Sequence, residues 1–127
     1  DSLLIIDYKT GQVQKQHWLS TPLLSPQLPL YSLHFPQTVG ITFAQIKANQ
    51  WQWSGISQKK LDIKGIMSWE KAKHHFTGWE HIQAHWQQQS TQLATNFCQG
   101  HVEVAPANHE ACQYCHLQSL CRVSSNR

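Results

Sequence analysis

The stretch that most limits how this chain can fold is its first eleven residues, DSLLIIDYKTG. Leu3 to Ile6 is a continuous apolar run of the length of a buried strand, and it passes directly into Asp7, Tyr8 and Lys9 before Gly11 ends it. Side chains alternate along a strand, so Asp7 and Lys9 share one face while Tyr8 takes the other. A carboxylate and an ammonium side by side at the polar end of a hydrophobic strand suit a hard cation such as Mg²⁺. The carboxylate would serve as ligand and the ammonium would steady a phosphate or an attacking water. The same pair also occurs as a solvated turn or a surface ion pair, so the rest of the chain has to decide.

Residues 12–20 read as a ragged strand or loop with Trp18 packed on the core. Pro22, Pro26, Pro29 and Pro36 confine any helix in the next segment to a short one, starting near Ser25 with Pro26 in its first turn. On such a helix Gln27 and Tyr31 share a face. Residues 38–48 alternate, with Val39, Ile41 and Phe43 against Gly40, Thr42 and Ala44, as a half-buried strand does. Asn49 and Gln50 supply a turn, and Trp51 to Ile56 returns as a hairpin partner with Trp51 and Trp53 on one face. Residues 57–68 are polar and read as a loop. A long helix then begins at about Ser68 or Thr77, with Gly78 as a potential break. It reaches Phe97 on a stripe of Trp79, Ile82, Trp86, Leu93 and Phe97, and Gly100 stops it. His81 and His85 are four apart in this helix, but Ile82 stands where a zinc-protease motif needs Glu. These two, with His74 and His75, therefore read as surface residues.

Near the other end, Cys112, Cys115 and Cys121 are spaced C-x2-C-x5-C. In a chain without secretory features this spacing argues for a metal or cluster and against a disulfide framework. Clustered thiolates favour iron–sulfur first and zinc second, with His109 and His116 as substitute ligands in the zinc case. Cys98 is available as a fourth ligand within the chain but reads rather as a core residue at the end of the long helix. A cluster would fix a segment too short to hold itself by burial.

IIDYKTG resembles the (D/E)-x-K motif of the PD-(D/E)XK nucleases, and more closely its form in the RecB/AddB-type exonuclease domain. Gln27 to Tyr31 is similar to that family's Gln-x-x-x-Tyr element. Cys112, Cys115 and Cys121 resemble its carboxy-terminal cysteines, so the three features stand in the family's order over nearly the whole chain. The resemblance implies an α/β fold: a mixed β-sheet flanked by α-helices, a restriction-endonuclease-like core incomplete at its amino terminus. Residues 1–127 would be the carboxy-terminal part of the nuclease domain, with 98–123 as an iron–sulfur-type tail. It further implies Mg²⁺- or Mn²⁺-dependent hydrolysis of DNA by a repair or recombination protein, in company with a helicase subunit.

In that reading Asp7 is a metal ligand, the Tyr8 backbone carbonyl is a second, Lys9 acts electrostatically at the scissile phosphate, and Gln27 and Tyr31 shape the DNA path. Cys112, Cys115 and Cys121 hold a [4Fe–4S] cluster, or zinc in the alternative, with a fourth cysteine upstream. Two other readings share these motifs: a non-catalytic iron–sulfur or zinc-bearing DNA-binding module, and a CRISPR adaptation nuclease. The family also uses an earlier acidic residue, in a G-x-x-D-R-x-D-like strand, and often an upstream His or Glu. Neither is in residues 1–127, so the expectation is a piece of a longer protein, inactive alone.

Composition sets wider bounds. The net charge of +3 is compatible with a nucleic-acid partner, and six Trp imply a packed core or an aromatic surface. No apolar run approaches a membrane span and no signal peptide is visible, so the expectation is a cytoplasmic protein with no membrane contact.

Overall fold

A computed structural model describes residues 1–123. Four strands form one sheet in the order β1 (Leu3–Lys9), β2 (Thr38–Lys47), β3 (Gln50–Ser57) and β4 (Ile66–Ser68). β1 runs parallel to β2 and is joined to it through helix α1 (Gln27–His34). β2 and β3 make an antiparallel hairpin, and β4 lies parallel to β3. With helix α2 (Trp79–Cys98), this mixed sheet and its flanking helices are the restriction-endonuclease-like α/β fold. The chain divides into two compact units, residues 1–92 and residues 93 onward.

Prolines fix α1. Pro26 is the residue before the helix, and Pro29 sits in its first turn, where a backbone N–H would have no helical partner. The first helical bond runs from Leu30 N–H to Pro26 O at 2.8 Å. At the other end Phe35 precedes Pro36 and leaves the helical region, with φ −125° and ψ 88°. The helix buries Leu28, Pro29 and Ser32, which leaves Gln27 and Tyr31 on its open side.

The core of residues 1–92 lies on one face of the sheet. Ile41, Phe43 and Ile56 are buried there with Ile5 and Met67 beside them, and Trp18, Leu19, Leu28, Trp79, Ile82 and Trp86 pack against them. The Trp18 and Phe43 rings lie 4.6 Å apart, tilted by 32°, and the Trp18 carbonyl accepts a 2.7 Å hydrogen bond from Trp86 Nε1. Trp18 belongs to the core as expected, but on a short 3-10 helix (Lys15–Leu19) and not on a ragged strand or loop.

Five further expectations are corrected. β2 is buried at Thr38 and from Gly40 through Gln45, not half-buried, because it lies between β1 and β3 and its second face there carries only small residues such as Gly40, Thr42 and Ala44. The 57–68 segment contains β4. Gly65, at φ +96°, brings its carbonyl to the Gly55 N–H at 3.0 Å, and a Cβ there would stand 2.1 Å from Trp53 O. The apolar stripe of α2 is buried only at Trp79, Ile82 and Trp86; Leu93 and Phe97 are 60% and 83% exposed, and Cys98, expected in the core at the helix end, is exposed as well. Two of the four histidines are not surface residues. His74 is half-buried between Trp69 O (2.7 Å) and the Phe76 N–H (3.0 Å), and half-buried His85 bonds Ser20 O at 3.0 Å. Among the described residues no helix is long and apolar enough to cross a membrane.

Candidate active site

β1 carries Ile5, Asp7 and Lys9 on the core face of the sheet, so the strand that begins as packing ends as chemistry. Ile5 packs on the core, Asp7 is 20% exposed and Lys9 is 40% exposed. Burial thus falls stepwise along one strand face. Lys9 Nζ lies 2.9 Å from Asp7 Oδ2, within ion-pair distance. The approach lacks hydrogen-bonding geometry, so Asp7 Oδ2 is a buried oxygen without a hydrogen bond. Lys9 is too exposed for this pair to stabilise the fold by more than about 1 kcal/mol. Its significance is positional.

α1 crosses the same face and closes the arrangement. Lys9 Nζ donates to Gln27 Oε1 at 3.3 Å, and Gln27 Nε2 donates to Tyr31 Oη at 3.4 Å. The four residues read from the sequence as one site therefore form one continuous line of contacts: Asp7, Lys9, Gln27, Tyr31. The helical spacing of four puts Gln27 and Tyr31 in register, and the β1–α1 connection brings them to Lys9. The Tyr8 side chain is 70% exposed on the opposite face, which leaves only its backbone carbonyl as a candidate ligand.

Sequence reasoning missed Gln45. It lies opposite Lys9 in the β1–β2 register and is only 4% exposed. Its Nε2 donates to Gly11 O at 2.7 Å, and its Oε1 accepts from Gln52 Nε2 at 2.7 Å. The amide thereby ties down the chain just after Lys9. The available signal was a glutamine on the apolar phase of an alternating strand; the register that sets it beside Lys9 is not written in the local sequence.

A divalent cation fits this corner by donor chemistry: a buried carboxylate oxygen, ion-paired to Lys9 but without a hydrogen bond, is a hard ligand. The cysteines are different. Cys112, Cys115 and Cys121 are free thiols, and among the described residues no group of three or more His, Cys, Asp or Glu side chains converges to hold a metal. Cys112 ends a 3-10 helix (His109–Cys112), Cys121 ends helix α3 (Gln118–Cys121), and the Cys115 sulfur accepts the Leu117 N–H at 3.4 Å. The sulfur donors have the right softness, but the geometry is not assembled.

This fold, with its Asp-x-Lys strand end, is that of a nuclease superfamily. The chain belongs to the PD-(D/E)XK nuclease superfamily, whose family model matches residues 1–122. Membership carries nuclease chemistry in general, with DNA as the substrate and Mg²⁺ or Mn²⁺ as the usual ions. No curated protein and no solved structure gives a significant match to the chain.

Proposed function

We propose that the chain carries the lysine-bearing half of the catalytic site of a Mg²⁺-dependent DNA exonuclease of RecB/AddB type, acting in repair or recombination beside a helicase subunit. The observation that carries this reading is the unbroken line Asp7–Lys9–Gln27–Tyr31, in which an unsatisfied carboxylate oxygen faces an ammonium held by a helix-borne amide. Asp7, with the Tyr8 carbonyl, would hold the cation. When bound, that ion polarises the phosphoryl oxygen and acidifies water.

The chain's own residues do the rest. Lys9 Nζ orients the attacking water and offsets the charge that develops on the phosphoryl group. Gln27 fixes the ammonium through its Oε1, and Tyr31 fixes the Gln27 amide, so the charge is aimed before substrate arrives. Residues 98–123 form a tail that closes around a [4Fe–4S] cluster, or zinc, through Cys112, Cys115, Cys121 and a cysteine outside this segment. The unbridged thiols, with Cys115 exposed and Cys112 and Cys121 half-buried, support this reading.

The experiment is cleavage of end-labelled DNA by the full-length protein in Mg²⁺, compared with Asp7→Asn and Lys9→Ala. Manganese binding is followed by electron paramagnetic resonance. Loss of Mn²⁺ binding in Asp7→Asn and loss of cleavage in both variants are expected. Cleavage that survives both substitutions overturns the assignment. Iron and sulfide content after anaerobic purification tests the tail: zinc without iron favours the structural-module reading of the cysteines.

A further inference from the structure

The catalytic row does not stop at Lys9. Across the sheet Lys9 pairs with Gln45 and Gln45 with Gln52, and one step further Lys47 pairs with Gln50. Cross-strand partners point to the same face, so these side chains share the face that carries Asp7. β1 ends opposite Gln45, while β2 and β3 run on to Lys47 and Gln50 and turn at Asn49, whose φ is +63°. The hairpin therefore overhangs the catalytic end of β1, and Lys47 stands two residues, about 7 Å, beyond the Lys9 row.

An open hollow of about 360 Å³ lies at this overhang, lined by Gln45, Lys47, Asn49, Gln50, Trp51 and Gln52. Its floor is rigid. Gln45 is 96% buried by its 4% exposure, and both ends of its amide are committed, to Gly11 O and to Gln52. Its lip carries an exposed cation, Lys47, and an exposed amide, Gln50. No acidic residue lines it. A single positive charge among amide donors and acceptors suits a sugar-phosphate, which offers one negative charge and several acceptors per unit. With no carboxylate in the lining, a cation finds no counter-charge there.

We propose that the tip of the β2–β3 hairpin is a substrate subsite that holds the nucleotide flanking the scissile bond on a single DNA strand. Lys47 contacts its phosphate, and Gln50 and Gln52 meet its sugar and base edge. This rests on the DNA-nuclease reading above. It adds a direction: the strand crosses the sheet from the Asp7–Lys9 corner toward the hairpin tip. Trp51, 67% exposed and edge-to-face at 5.4 Å with Trp53, belongs to the alternate phase of β3 and lines the hollow beside the Lys47–Gln50 row.

The test is fluorescence anisotropy of a labelled oligothymidine with the full-length protein in chelator, so that binding is read without cleavage. A salt titration accompanies each variant. Lys47→Glu is expected to weaken binding about tenfold, and Lys47→Gln to weaken it less and lower the salt slope by about one. Lys47→Arg should bind as wild type, and Lys64→Glu, at a different exposed lysine, should change little. Equal losses in Lys47→Glu and Lys64→Glu would reduce the effect to general charge and overturn the subsite. A loss in Trp51→Ala with Lys47→Glu silent would make the contact one of ring stacking without the lysine and also overturn it. Unchanged binding in Lys47→Glu, while Asp7→Asn still abolishes cleavage, sinks the subsite and leaves the nuclease reading standing. A wild-type protein that neither binds the strand nor cleaves DNA in Mg²⁺ or Mn²⁺ sinks both.

Discussion

The β1–α1 corner and the cysteine segment were equally conspicuous in the sequence, yet the fold treats them differently. Asp7, Lys9, Gln27 and Tyr31 are brought into one line, whereas Cys112, Cys115 and Cys121 are not brought to a common point. The corner stands on Ile5, Leu28 and Phe43, side chains already held by the buried core. The tail has no such footing: Val102, Val104, Tyr114, Leu117 and Leu120 are all at least 60% exposed. Packing orders polar groups that ride on buried ones. A segment without burial needs bonds of another kind, and thiolate–metal bonds are strong enough to serve.

That contrast is open to attack at several strengths. The largest effect is expected at Trp18, whose fully buried indole lies 4.6 Å from the Phe43 ring. Trp18→Ala should cost about 3–5 kcal/mol in denaturant unfolding. A loss under 1 kcal/mol would mean that the corner does not depend on this core. Next, Lys9→Ala should cut the cleavage rate about 10²–10³-fold with an unchanged melting temperature, because the half-exposed ion pair contributes little to stability. A parallel fall in stability would recast Lys9 as structural.

Metal removal probes the other side. Chelation or Cys115→Ser should expose residues 98–123 to limited proteolysis and leave residues 1–92 resistant; simultaneous digestion of both would erase the distinction. Gln27→Ala should slow cleavage roughly tenfold, the worth of one hydrogen bond to a charged group, and Gln27→Glu should bind Lys9 but misplace Tyr31. The smallest effect belongs to Phe97→Ser, which should shift stability by no more than about 0.5 kcal/mol because the ring is 83% exposed.

How much could be read beforehand varies by element. The proline pattern located α1 to within two residues because Pro restricts where a helix can start, a local rule. The hairpin was placed in the same way, with its turn one residue earlier, at Ala48 and Asn49. β4 was hidden because three residues, Ile66–Ser68, carry too little periodicity to register, and their pairing with β3 depends on a close approach at Gly65. The stripe on α2 misled from Leu93 onward: apolar residues at helical spacing show which face is available for burial, not whether anything covers it.

The sequence by itself determined that Asp7 and Lys9 share a strand face and that Gln27 and Tyr31 share a helix face, since both follow from backbone periods of two and of about 3.6 residues. Only the tertiary structure decided that these two faces meet, with Lys9 Nζ 3.3 Å from Gln27 Oε1. It also decided that Gln45 sits in register with Lys9. The reason is physical: periodicity is a property of neighbours along the chain, whereas register and the crossing of a helix over a sheet are set by how buried side chains such as Leu28, Phe43 and Trp18 fill one shared space.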